Sequence, residues 1–265
     1  MLPFLTIFGR EFPTFYLLGI LGIVAAAYIA GFRAKRYGVS REDIAAVTAF
    51  ASIGLLIGAV LLFGITQIPN MWASRSLLTT DFFGFFRRYF GGLVFYGGLF
   101  GAFGAVYWYC RYMGLAFRKV ISLMVPVFPL AHAIMRLGCF MGGCCFGIEF
   151  PPPLGIAFAE PLTAPSGVHL LPVQLFEAAS NLVIFAILWG YTKRDRHWVT
   201  ISCLYGLFYS FARFWLEFLR GDIARGFAGV FSTSQWISVV VFFGCLAGLM
   251  LFPKGSGSED SAVVN

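Results

Sequence analysis

Residues 43–66 read DIAAVTAFASIGLLIGAVLLFGIT, and after Asp43 the run passes 23 residues without a charge. A helix rises about 1.5 Å per residue, so about 20 apolar residues cross the hydrocarbon core of a bilayer. This stretch is long enough to do so alone. It shows no strict apolar–polar alternation, so it reads as a helix and not as a strand of an outer-membrane barrel. Similar runs lie near 13–32, 92–112, 118–138, 171–192, 198–217 and 232–252, which predicts seven crossings. The first is itself long enough to span and is read as a helix, not a cleavable signal.

The composition agrees. Of 265 residues, 59% are hydrophobic and 12% charged, with a mean hydropathy of +0.83. A soluble domain carries about 25% charged residues and could not hide this much apolar surface. A disulfide-framed secreted scaffold and a disordered chain are excluded as well. The 31 glycines suit membrane helices, where small residues allow backbones to approach closely. The predicted fold class is all-α, a polytopic helical bundle. Residues 1–253 form one membrane-embedded domain, and the polar tail 254–265 is expected to be disordered. Between crossings, residues 67–91 are too polar to span and hold Arg87 and Arg88 among aromatics, the pattern of an amphipathic arm. Residues 139–167 form a second long connection, rich in Gly, Cys and Pro.

The net charge of +7 is assigned to topology rather than to nucleic acid. With the N-terminus outside, Arg33, Lys35, Arg36, Arg41, Arg111, Arg118, Lys119, Lys193, Arg194, Arg196 and Lys254 face the cytoplasm. Only Arg10, Arg75, Arg87, Arg88, Arg220 and Arg225 face outward. The positive-inside rule therefore predicts N-out, C-in.

The ionisable residues inside spans are expensive, on the order of 2.5–3.5 kcal/mol each on insertion scales, and mark candidate sites. They are His132, Arg136, Glu177, Arg213 and Glu217. In the N-out orientation all fall in the outer half of the bilayer, beside the 139–167 connection. His132 and Arg136 are spaced i, i+4. Gln174, Glu177 and Asn181 form one helical stripe, and Tyr209, Arg213, Glu217 and Arg220 another. A bland reading exists for each: an intrahelical Arg213–Glu217 pair, and Gln174 and Asn181 as interhelical glue. Glue has no reason to gather at one depth, which favours a site. Arg offers a planar fork matched to phosphate oxygens and keeps its charge. Two function classes follow: an enzyme acting on a phospholipid, or a carrier that only binds one.

Residues 136–147, RLGCFMGGCCFG, are the most unusual stretch. Four glycines in ten residues cannot continue a stable helix, and irregular backbone at membrane depth must line a cavity or be buried in protein. A re-entrant or cavity-lining turn is expected. Cys139, Cys144 and Cys145 leave several readings open. They are packing residues, an oxidised pair, or a thiolate activated by Arg136; a zinc site favours paired CxxC or CxxH spacings, which this run lacks.

Four segments, 91–99 (GGLVFYGGL), 136–140 (RLGCF, with Gly143 and Gly147), 171–177 (LPVQLFE) and 213–220 (RFWLEFLR, with Asp222), together resemble one family over about residues 13–252, the bacterial prolipoprotein diacylglyceryl transferases. The resemblance implies a seven-helix enzyme of the bacterial inner membrane with its site toward the periplasmic leaflet. It would transfer diacylglycerol from phosphatidylglycerol to the lipobox cysteine of a prolipoprotein, releasing glycerol phosphate. Carried over, Arg136 and Arg213 hold the phosphate, and Glu217 and Arg220 order the site. Gln174, Glu177, Gly97, Gly98, Gly138, Cys139, Gly143 and Cys144 line it. No cofactor and no metal are implied. The chain departs from the family at Tyr96, where the family has His, and at Cys139, Gly142, Cys144 and Ile148. A phenol stays protonated near neutral pH, so His132 is the expected source of an imidazole. These departures keep a second reading in view, a related transferase with a different acceptor.

Overall fold

The computed structural model describes residues 3–75, 80–92, 94–222 and 227–251. The chain is mostly helical, and the strands among the described residues form short two-stranded ladders. The tail 254–265 lies outside the described residues. Among the described residues, six helices are long and apolar enough to cross a membrane: Thr14–Gly31, Arg41–Thr66, Phe117–Gly142, Val173–Tyr191, Trp198–Glu217 and Thr233–Leu251. The protein is a multi-pass helical membrane protein. The run expected near 92–112 is also a helix, Phe95–Met113, but it is not among those six. Tyr96, Tyr107, Trp108, Tyr109, Arg111 and Tyr112 dilute its apolar character. Large apolar side chains such as Ile20, Val24, Leu56, Leu61, Val240 and Phe243 are exposed, as expected where lipid replaces water as the solvent.

The chain forms two compact units, Ala34–Val120 and the remainder, Met1–Arg33 with Ile121–Asn265. In the smaller unit, α2 (Arg41–Thr66) opens on a capping box between Ser40 and Asp43, satisfying two orphan donors of the first turn. Helix α3 (Ile68–Ala73) and helix α4 (Phe82–Phe90) follow. The Asp81 side chain caps α4 through Gly84 N at 2.9 Å. This helix buries Phe85 and Tyr89 and exposes Arg87 and Arg88, the two-faced arm that its sequence suggests.

Helices α2 and α5 (Phe95–Met113) meet through Gly54, Gly58, Gly97 and Gly101. A Cβ at any of the four would run into backbone of the facing helix. The glycine pairs thus mediate packing within the chain. Replacing Gly58 with leucine is expected to cost about 1–3 kcal/mol by overpacking and to lower the unfolding temperature in detergent. Gly104, on the same helix α5 with nothing nearby, should accept alanine without loss.

In the larger unit, α1 (Thr14–Gly31) packs on α7 (Phe128–Gly142). A Cβ at Gly22 would lie 2.7 Å from the Ala131 carbonyl, and one at Gly138 would lie 3.0 Å from Phe15 Cα. Helix α6 (Phe117–Met124) leads into α7 through a 3₁₀ turn, Val125–Val127. Pro126 and Pro129 lack the N–H groups that would continue an α ladder there. Just past α1, Arg33 donates to Thr192 Oγ1 and to the Trp189 carbonyl, both at 2.7 Å, and lies over the Trp189 ring. That anchors it to the end of α8 (Val173–Tyr191). Helices α9 (Trp198–Glu217) and α10 (Thr233–Leu251) complete this unit.

Candidate active site

The glycine- and cysteine-rich segment is a folded turn with all its anchors inside the larger unit. Helix α7 ends at Gly143, whose φ of 63° makes a left-handed cap, a conformation that glycine adopts without steric cost. The chain is then held by backbone hydrogen bonds on two sides. Gly147 N donates to Leu171 O at 3.0 Å, Leu171 N to Ile148 O at 2.9 Å, Ile148 N to Leu219 O at 2.9 Å and Gly221 N to Phe146 O at 3.1 Å. A Cβ at Gly147 would lie 2.5 Å from the Leu171 carbonyl and 2.8 Å from that of Leu219, so this threading requires glycine. The rest of the connection folds on buried Phe158, Ala164 and Leu170, with Phe140, Phe146 and Val168 against them. The start of α8 and the end of α9 are thereby fixed to the end of α7.

Glu177 is the centre of the charges that this arrangement gathers. Its Oε2 lies 2.6 Å from Arg136 Nε, and its Oε1 lies 2.7 Å from Arg213 Nη1 and 3.4 Å from Arg220 Nη1. Arg213 Nη2 lies 2.8 Å from Glu217 Oε2. Arg220 also forks onto Asp222, at 3.2 Å through Nε and 2.8 Å through Nη2. The contacts at Glu177 Oε2 and Glu217 Oε2 are close charge contacts without hydrogen-bond alignment. Three guanidiniums and three carboxylates therefore balance at a buried place, where ions must be paired to be tolerated. Burial works against the charge of Arg220, yet the Asp222 hydrogen bonds and the Glu177 charge outweigh it and raise its pKa above the ordinary arginine value.

Arg136 differs from its neighbours. Only its Nε is engaged, donating to His132 Nε2 at 3.2 Å and contacting Glu177. Among the described residues, nothing pairs with its two terminal nitrogens. Its side chain keeps 13% of its exposure, close to the 14% of Arg213 and above the 5% of Arg220, so what sets it apart is its uncommitted terminal nitrogens. It holds an open fork in an otherwise neutralised cluster.

The stripes read from sequence converge as expected, with two differences. Helix α9 ends at Glu217, so Arg220 is not on its stripe; the bridge between Gly147 and Arg220 brings it back to Glu177. Asn181 does not join helices: its Nδ2 donates to the Glu177 carbonyl one turn earlier, at 2.8 Å. Gln174, fully buried, donates through Nε2 to the Cys144 carbonyl at 2.8 Å. The sequence reading missed Ser232, whose Oγ donates to Glu217 Oε1 at 2.9 Å. A signal was available. Ser232 and Gln235 cap each other reciprocally, at 2.9 and 3.2 Å, in the S-x-x-Q spacing of a capping box.

Cys139 lies in the last turn of α7, and Cys144 and Cys145 follow Gly143. All are free thiols, with Cys139 buried and the other two half-buried. Hydrogen bonds from the Cys139 and Cys144 thiols, then the charges of Arg136 and Arg220, pull the Cys145 pKa well below its ordinary value against the effect of burial. Donation to Cys139 and Cys145 pushes that of Cys144 up. Of the remaining candidates, Gly138 supports the α1–α7 contact and Gly143 the turn. Tyr96, Gly97 and Gly98 belong to the smaller unit, where Gly97 and Gly98 are buried against α2 and Tyr96 is 40% exposed.

Residues 4–251 match the family model described as prolipoprotein diacylglyceryl transferase. Curated relatives carry the name phosphatidylglycerol–prolipoprotein diacylglyceryl transferase. The protein from Clostridium tetani (strain Massachusetts / E88) is 32% identical over 247 residues, covering 93% of this chain and 94% of that protein. One from Clostridium perfringens (strain 13 / Type A), whose name ends in "transferase 2", is 30% identical over 255 residues, covering 93% and 92%. The protein from Geobacter sulfurreducens (strain ATCC 51573 / DSM 12127 / PCA) is 31% identical over 237 residues, covering 88% and 87%.

Proposed function

The chain belongs to the prolipoprotein diacylglyceryl transferase family, and from that premise we propose that it transfers the diacylglyceryl group of phosphatidylglycerol to the lipobox cysteine thiol of a prolipoprotein. The thiol sulfur attacks the glyceryl carbon that carries the phosphate. A C–S thioether bond forms, the C–O bond to phosphate breaks, and glycerol phosphate leaves with the electron pair. The thiol proton passes to solvent or to the departing phosphate.

The observation that carries this reading is the open fork of Arg136 inside a charge-balanced cluster. As the ester bond breaks, a phosphodiester with one negative charge becomes a monoester gaining a second. A guanidinium that cannot lose its proton is suited to meet that developing charge. In this mechanism Arg136 takes the phosphate directly. Arg213 uses both terminal nitrogens on Glu177 and Glu217, so it positions the cluster and adds field. Glu177, Glu217 and Arg220 hold the geometry, and Gln174 fixes the adjoining turn. His132 acts as a positioning residue, because its Nε2 accepts from Arg136. On their motif alone, Tyr96, Gly97 and Gly98 are further candidates for contacting substrate.

The same reading assigns seven crossings, the N-out, C-in orientation, and residence in a bacterial inner membrane with the site toward the periplasmic leaflet. Complementation tests it in cells. In a strain depleted of its own transferase, the wild-type chain is expected to restore growth and lipoprotein maturation, and the Arg136→Ala chain to fail. Failure of both chains, each present in the membrane, would favour the second reading. Tyr96, Cys139, Gly142, Cys144 and Ile148 are the departures that support it, and they would then mark an altered acceptor.

A further inference from the structure

The sequence spaces Cys139, Cys144 and Cys145 unlike a zinc motif, yet the fold brings their sulfurs together. The three Sγ atoms lie within 4.8 Å of one another. Two consecutive features of the turn achieve this. Gly143 and Cys145 both adopt left-handed backbone, with φ of 63° and 59°. For a residue with a Cβ that conformation costs on the order of 1–2 kcal/mol, so the surrounding contacts impose it on Cys145. Cys144 N donates to the Cys139 carbonyl at 3.1 Å, and Gln174 Nε2 takes the Cys144 carbonyl at 2.8 Å.

A second observation points to a ligand. Gln174 is fully buried, and its Oε1, on the same amide that grips Cys144, has no hydrogen-bond partner among the described residues. An orphaned buried acceptor is costly. A cation beside the turn would satisfy it.

The dimensions fit. If all three sulfur separations stood at the 4.8 Å limit, an ion at their centre would lie about 2.8 Å from each, against about 2.3 Å for a zinc–thiolate bond. Small side-chain rotations close that gap. Three thiolates and a divalent ion carry one net negative charge.

We propose that Cys139, Cys144 and Cys145 form a binding site for a thiophilic divalent cation of the zinc type, with an oxygen ligand in the fourth position and Gln174 Oε1 the buried acceptor beside it. On binding, the three thiol protons pass to solvent and each sulfur donates an electron pair to the ion. No redox change is involved. The site uses none of the fork's nitrogens, and its existence does not depend on the transferase reading. It closes the turn between α7 and α8 that also carries the Gly147–Arg220 bridge.

The test uses the full chain in detergent, reduced with a phosphine, stripped with a chelator, loaded with Zn²⁺ alone and desalted. About one zinc per chain is expected. The Cys139→Ser/Cys144→Ser/Cys145→Ser variant should fall to background, while Cys203→Ser/Cys245→Ser, at the free thiols within α9 and α10, retains the metal. A measurement on the wild type needs no variant to fold: zinc should protect Cys139, Cys144 and Cys145, and not Cys203 or Cys245, from alkylation read by mass spectrometry. Equal zinc in the triple variant would overturn the proposal. So would alkylation of the three thiols at the same rate with and without zinc, or a disulfide among them that re-forms in the presence of zinc.

Discussion

Arg136→Ala is expected to lower the transfer rate by about 10²–10³-fold, the usual loss when a preorganised donor to a developing oxyanion is removed. Its open fork is the only direct phosphate ligand in the proposed mechanism. The other two arginines are already bound to carboxylates: Arg213 to Glu177 and Glu217, and Arg220 to Glu177 and Asp222. Arg136→Lys keeps a positive charge but loses the planar pair of donors, so it should recover little of the activity. The variant should nonetheless fold. Glu177 would keep Arg213 and Arg220 as partners, which limits the unpaired charge left behind. Initial rates of glycerol phosphate release, compared with detergent melting curves of the same preparations, separate the two effects. A large loss of rate with a small loss of stability is the expected signature. A proportionate loss of both would assign Arg136 to structure.

Glu177→Gln should do the opposite, with stability failing first. Its carboxylate touches three guanidiniums and keeps only 5% of its side-chain exposure. Removing the charge leaves Arg136, Arg213 and Arg220 crowded and undercompensated. Breaking a buried ion pair from one side costs about 3–5 kcal/mol, a large part of the stability of a typical domain. The more exposed Asp222, with 24% of its side-chain surface accessible and paired with Arg220, offers the comparison. Asp222→Asn should cost less, because Arg220 keeps Glu177 as its other partner. Thermal unfolding of the two variants in one detergent measures the contrast, and equal destabilisation would contradict the central place given to Glu177.

What was legible in the sequence was whatever repeats with the helical period. His132 with Arg136, Gln174 with Glu177, and Arg213 with Glu217 all lie on regular helices, so counting by threes and fours placed them on common faces. The membrane-spanning runs were legible for a related reason, since apolar length alone identifies them. The helix Phe95–Met113 shows the limit, because four tyrosines, a tryptophan and Arg111 give it a composition between a span and an interfacial helix. What was not legible depends on turns. The meeting of Cys139, Cys144 and Cys145 follows from two left-handed residues, Gly143 and Cys145, which no periodicity encodes. Arg220 reaches Glu177 by a backbone bridge to Gly147, after α9 has ended. Ser232 reaches Glu217 from the short strand before α10. Its capping spacing was visible in the sequence, but its partner across the fold was not.

A cluster that transfers a diacylglyceryl group does more than hold a lipid: it must release the headgroup. Reconstituting the purified chain in vesicles of phosphatidylglycerol labelled in its glycerol headgroup, with a lipobox peptide, tests it most directly. Labelled glycerol phosphate is expected in the aqueous phase, matched mole for mole by peptide heavier by one thioether-linked diacylglyceryl group, with both products falling by about 10²–10³-fold in initial rate for Arg136→Ala. Phosphatidylglycerol bound with no headgroup release, or products formed equally by the Arg136→Ala chain, would contradict the transfer mechanism.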